Sequence, residues 1–138
     1  MTCTFFGHKD APKETEQTLR SVLINLIENE DVNIFYVGNN GSFDSTVISL
    51  LSELSFVYPI KYYVVLAYIP KKETDYSERS IIPEGIESVP LRFAISYRNK
   101  WMIEQSDFVV THVTRSWGGA AQFKSLAERK EKAVINII

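Results

Sequence analysis

The residue with most to say about chemistry is Arg98. It lies on the apolar stripe Leu91, Ala94, Ile95 and Met102 of a segment with helical spacing. A guanidinium turned toward a core is costly unless its fork meets a carboxylate, a set of carbonyls or a phosphate. Arg98 is therefore either half of a structural ion pair or a ligand contact, whereas Arg92 points elsewhere on the same helix. Glycines supply the second signal. Gly7, the pair Gly38 and Gly41, and the doublet Gly118 and Gly119 each follow a strand-like run. Glycine lets a backbone approach a ligand closely, and a helix N-terminus offers free N–H groups to an anion. Any one of these loops alone reads as a turn; three at one sheet edge read as a phosphate cradle. None is a P-loop, and none is a GxGxxG fingerprint.

Four further side chains are candidates. His8, next to Gly7, is placed to touch a phosphate or to act as acid or base near neutral pH, or else is a surface turn histidine. Asp44 suits a ribose hydroxyl or an amide, or simply the dipole of the helix it opens. Trp117 either stacks on a base or caps the sheet edge. His112 reads as a packed core histidine.

These residues need a scaffold, and the patterning supplies one. Strand-like runs are expected at 2–6, 32–37, 62–67, 107–113 and 133–138, and helices at 14–29, from Ser42 as cap, at 91–105 and at 120–130. Leu19, Val22, Leu23, Leu26 and Ile27 mark the buried face of the first helix; Phe43, Val47, Leu50, Leu51 and Leu54 mark that of the second. Nearly continuous apolar strands alternating with helices imply a parallel sheet covered on both faces. The expectation is an α/β, three-layer, Rossmann-like domain spanning 1–138, with a five-stranded parallel sheet in the order 3-2-1-4-5. Ligands of such sheets bind beyond the strands' carboxyl ends, where the order reverses. That joins residues 7–10 to 114–119. Residues 68–90, rich in proline and charge, read as a functional excursion, with room for a short helix or strand inside it, that is mobile until ligand binds.

Composition narrows the field. Fifteen basic against seventeen acidic residues leave a net charge of −2 without a basic block, which disfavours broad nucleic-acid binding. Cys3 is the single cysteine, so no internal disulfide forms, and with two histidines no metal site is expected. No cofactor is indicated. The first residues enter a strand pattern without a leader, and no apolar run approaches a membrane span. The expected setting is the cytoplasm, off the membrane. Trp101, Phe56 and Tyr58 offer apolar surface for a homodimer.

The stretch from Tyr97 through Arg98, Asn99, Met102, Ser106 and Asp107 to Val110, followed by Gly118 and Gly119, resembles the SLOG superfamily. That superfamily unites Lonely Guy phosphoribohydrolases with the DNA-processing protein A domain. Its "R-[KN]-x-x-M" helix leads into "S-D" and two apolar residues, and a glycine-rich loop then opens the next helix. The order of elements is similar along nearly the whole chain, while the specific likeness covers residues 97–119. The resemblance implies a nucleotide pocket containing Arg98 and Asn99. It does not carry over the hydrolase's glutamate, since the two registers of the glycine doublet put Ser125 or Phe123 there. The proline and threonine of that motif are also absent.

Three readings follow. The first is a sensing or binding module for a nucleotide or another phosphate-bearing small molecule. The second is a nucleoside 5'-monophosphate phosphoribohydrolase with a non-standard acid, from Asp10, Asp44 or Glu84. The third is a protein-interaction domain with a degenerate pocket.

Overall fold

The computed structural model describes residues 1–70 and 79–137. Its elements, in chain order, are β1 (Thr2–Gly7), α1 (Thr15–Asn29), β2 (Ile34–Val37), α2 (Ser42–Leu54), β3 (Lys61–Val65), β4 (Ser80–Ile81), α3 (Ala94–Gln105), β5 (Phe108–His112), α4 (Gly119–Arg129) and β6 (Ala133–Asn136). The strands form one parallel sheet in the order β4-β3-β2-β1-β5-β6. The expected Rossmann-like arrangement and the relative order of its five strands are borne out. The strand count is corrected to six: Ser80 and Ile81 extend the sheet by pairing with Val64 and Val65. That strand was hidden because two residues are too few for a readable alternation.

Side-chain alternation along β1 divides the core between the two faces of the sheet. Cys3 and Phe5 join Leu19, Leu23, Leu50 and Leu51 of α1 and α2 on one side. Phe6 joins Met102 and Ile103 of α3 and Phe123 and Ala127 of α4 on the other. Fully burying such side chains stabilises by roughly 1.5–3 kcal/mol each. The faces swap because α1 and α2 return the chain toward β2 and β3, while α3 and α4 serve β5 and β6. The order therefore reverses between β1 and β5, whose residues Cys3 to Gly7 pair with Phe108 to His112. Loops leaving those two strands diverge to opposite faces and open a crevice at their carboxyl ends.

Several boundaries differ from the sequence expectation. Helix α3 starts at Ala94, and Leu91–Phe93 form a 3-10 turn that leaves Leu91 74% exposed, so Leu91 does not belong to the buried stripe. Pro90 fixes an extended backbone before that turn and delays the helix. Ser42 does not cap α2. Gly41 is the capping residue, with φ +128°, and the Ser42 hydroxyl donates instead to the Lys9 carbonyl, tying α2 to the loop after β1. The excursion after β3 holds β4 and a 3-10 turn at Ile86–Ser88; its residues 71–78, and Ile138 of the last expected strand, lie outside the described residues. Of the surface proposed for pairing, Trp101 packs edge-on against Tyr36 at 5.1 Å and Tyr58 bonds Glu28, while Phe56 is 89% exposed. Among the described residues no helix is long and apolar enough to cross a membrane.

Candidate functional site

A cavity of about 290 Å³ occupies the crevice at the carboxyl ends of β1 and β5. Its floor is the end of β1, from Phe6 through Gly7 to His8 and Lys9. One wall is the face of α3 carrying Ile95, Arg98, Asn99 and Met102, which helical spacing aligns. The other wall is Arg115 with Gly118, Gly119, Ala120 and Phe123 at the start of α4. The turn after β2 closes one end with Gly38, Asn40 and Asp44. A wider depression of about 610 Å³ at the opposite edge of the sheet, near Glu28 and Asp31, holds no Lys, Arg or His.

Arg98 is only 2% exposed. Its Nε donates to Asn99 Oδ1 at 2.9 Å, Nη1 to Asn39 Oδ1 at 3.2 Å and to the Val65 carbonyl at 3.1 Å, and Nη2 to Asn40 Oδ1 at 3.2 Å. Of the sequence alternatives, a set of neutral oxygens is what the fold supplies. Among the described residues no carboxylate forms an ion pair with it. Burial lowers its pKa, opposed by the charges of Asp44 and Tyr68. The arginine thus latches the turn after β2 onto α3 and β3 while its charge stays unneutralised by direct contact.

Asp44 sits beside this latch. Its Oδ2 accepts the Asn40 N–H at 2.9 Å. Burial raises the carboxyl's pKa, against the opposing pull of that N–H and of Arg98. Gly38 leaves room for both charged groups: a Cβ there would lie 3.1 Å from Arg98 Cζ and 3.1 Å from Asp44 Oδ2.

His8 is buried, and its Nε2 accepts the Thr114 N–H at 3.2 Å. Its backbone N–H donates to the His112 carbonyl at 3.2 Å. Burial holds the imidazole below its ordinary pKa, helped by Arg115 and His112 and opposed by Asp10. A neutral His8, accepting at Nε2, therefore bridges the loops after β1 and β5 and carries its proton on Nδ1. His112 packs against Phe43 at 6.2 Å on the α2 side, outside the cavity, and its buried Nδ1 has no hydrogen-bond partner among the described residues.

Arg115, not singled out in the sequence, is the side chain that links the mouth of the cavity. Its Nη1 reaches both Asp10 carboxylate oxygens at 3.4 Å, and its guanidinium lies 4.3 Å from the Trp117 ring centre. Its buried Nε has no hydrogen-bond partner among the described residues. No periodicity flags a loop arginine; the only available signal was its position between β5 and the glycine doublet. Gly118, with φ +96°, caps α4 without a side-chain cap, and α4 has no acidic residue in its first turn. Gly118, Gly119 and Ala120 at this helix start line the cavity with Arg115, and the first N–H groups of a helix have no intrahelical partner.

Most of the ten sequence candidates meet in this cavity: Gly7, His8, Gly38, Asp44, Arg98, Asn99, Gly118 and Gly119 line it. Two do not. Gly41 supports the α2 cap, where a Cβ would press on Lys9, and Trp117 is 68% exposed beneath Arg115. Gly7 is required for a different reason from the one expected. A Cβ on it would stand 2.4 Å from Phe43 Cγ, so it makes room for α2 as well as lining the cavity. Among the described residues no group of three His, Cys, Asp or Glu side chains converges as a metal site would require. No protein-family model matches the chain, and no curated protein matches it significantly.

Proposed function

We propose that this protein binds a nucleotide, or another small molecule carrying a phosphate, in the crevice between β1 and β5, and works as a binding or sensing module. The observation carrying this reading is the basic end of the cavity. There Arg115, whose buried Nε has no hydrogen-bond partner among the described residues, lines a space for one small ligand beside Gly118, Gly119 and Ala120 at the uncapped start of α4. Anions are favoured at such a helix end, and an arginine fork suits a phosphate. The SLOG resemblance of residues 97–119 agrees in placing Arg98 and Asn99 at a nucleotide pocket. A cleft of this kind argues against a domain that kept the fold and lost its pocket. Calorimetric titration with inorganic phosphate and with nucleoside 5'-mono- and diphosphates tests the reading. Saturable binding that weakens at least tenfold in Arg115→Ala is expected; no binding by any of these probes overturns it.

One observation favours a second, catalytic reading. Of Asp10, Asp44 and Glu84, only Asp44 lines the cavity, and burial makes its carboxyl prone to hold a proton. A protonated carboxyl in that position suits a general acid that gives its proton to the departing base as an N-glycosidic bond breaks. Release of free base from a nucleoside 5'-monophosphate, lost in Asp44→Asn, is the corresponding measurement.

A further inference from the structure

The two edges of the sheet are unlike. At one, β4 contributes only Ser80 and Ile81. At the other, β6 follows β5 in unbroken register, and no described strand lies beyond it. Ala133 and Ile137 donate inward, to the Asp107 and Thr111 carbonyls at 3.1 and 2.7 Å. Strand alternation then turns the N–H and C=O groups of Val134 and Asn136 toward the open side. Exposed edges are normally blunted by proline, charge, a bulge or shortness. Residues 133–137, Ala-Val-Ile-Asn-Ile, hold neither proline nor charge, and the ladder has no bulge.

We infer that β6 pairs with β6 of a second copy of this chain, antiparallel about a twofold axis at Ile135, so that two sheets join into one. Under that axis Val134 of each copy faces Asn136 of the other. Each such pair exchanges both of its N–H···O bonds, and no outward group of either strand is left over. At the axis Ile135 meets its own copy in a non-hydrogen-bonded pair, the arrangement that brings side chains closest. Ile135 and Val134 are half-buried against the cores of opposite sheet faces, so the joint covers apolar surface on both. Asn136 costs little to enclose, because its amide is already engaged. Its Oδ1 accepts from Thr111 Oγ1 at 2.8 Å and the Val113 N–H at 2.9 Å, and its Nδ2 donates to the Val113 carbonyl at 3.0 Å. Charge selects the direction. Lys132 stands just before the strand; antiparallel pairing sends the two lysines to opposite ends of the joint, whereas parallel pairing would lay one beside the other. The cavities then open at opposite edges of the joined sheet, so pairing is independent of the phosphate reading.

The test is sedimentation equilibrium of the full chain, with amide hydrogen exchange at low and high protein concentration. A dimer is expected, in which the Val134 and Asn136 amides slow as concentration rises while those of Ile135 and Ile137 are protected throughout. Val134→Pro removes an outward N–H and spares the ladder to β5. With two hydrogen bonds lost per dimer, it should weaken association about 10–100-fold. Ala133→Lys, a charge on an exposed residue of the same strand, should shift it the same way and carries the test if the proline variant does not fold. A monomer at every concentration overturns the inference. So does a dimer in which Val134 and Asn136 exchange freely, or one that folded Val134→Pro or Ala133→Lys leaves at full affinity. Protection of the two amides that ignores concentration would mean that the chain covers its own edge, and overturns it as well.

Discussion

Asp44 and Gly7 show how differently two residues of one cavity constrain the fold. Burial raises the Asp44 pKa, so the folded state disfavours its ionised form. Its penalty is absent where the carboxyl is protonated in both states, below the ordinary value near 3.8, and grows as pH rises through the folded pKa. Asp44→Asn is therefore expected to raise the apo melting temperature at pH 7, with the difference from the parent protein closing as pH falls below about 4. Thermal unfolding across that range checks it, and a variant less stable at pH 7 would make Asp44 a structural acid. Gly7→Ala acts in the other direction. Its methyl would overlap the Phe43 ring, an overpacking worth about 1–3 kcal/mol, and shortening Phe43 to Leu in the same chain should restore most of the loss. Denaturant titration of the single and double variants measures both. At this scale the sequence disclosed that Arg98 is buried, because its spacing from Ala94, Ile95 and Met102 is helical. It could not disclose the partners. Asn39 and Asn40 lie 59 and 58 positions away and are brought in only by the sheet. Nor could it show that Gly7 yields to Phe43, which is a contact between elements that no local pattern encodes.

The helices and loops were more legible than the contacts between them. Apolar spacing along α1 and α2 carries a direct imprint of a core on one side, so their existence and faces could be read from sequence. The start of α3 was misplaced because Leu91 continues the spacing by coincidence while Pro90 and the 3-10 turn delay the helix. Strand β4, within the segment where a short strand or helix had room, was left out of the expected five because pairing with β3, not its own pattern, defines it. Two expectations follow for the elements around the cavity. Arg98→Ala removes the latch between α3, β3 and the turn after β2. It should speed amide hydrogen exchange in residues 38–41 and lower apo stability by about 1–3 kcal/mol, the cost of stranding the buried Asn99 and Val65 acceptors. Arg98→Lys should recover little of this, because one ammonium cannot reproduce three separately directed nitrogens. Unchanged exchange in residues 38–41 would show that the turn holds itself. At the other wall, a Cβ on Gly119 meets nothing within 4 Å. Gly119→Val should keep the unfolding free energy within about 0.5 kcal/mol of the parent protein, as for a substitution touching no other residue, while abolishing phosphate binding. Normal binding by that variant would make the doublet a turn only.

Across the whole molecule, the reversal between β1 and β5 is the seam on which the cavity depends, and His8 crosses it. The neutral imidazole accepts from Thr114, and burial with Arg115 nearby keeps its pKa below 6.5. A histidine with a lowered folded pKa contributes stability that is present above its unfolded pKa and lost as pH falls through the folded one. The protein should therefore lose melting temperature progressively below about pH 6.5, and His8→Gln, which keeps an acceptor but cannot take up a proton, should flatten that fall. A profile identical in the two proteins would place the acid sensitivity elsewhere. The Arg98 latch has a further consequence, for the order in which a ribosome delivers this chain. By the time β3 has emerged, α1 and α2 can already pack on their side of a three-stranded sheet. The turn at Asn39 and Asn40 must then wait for an arginine encoded nearly sixty codons later. The cavity's polar end and its glycine doublet are thus both completed by the second half of the chain. A nascent or truncated product can own a folded hydrophobic face and still lack two walls of the cavity, those from α3 and the start of α4.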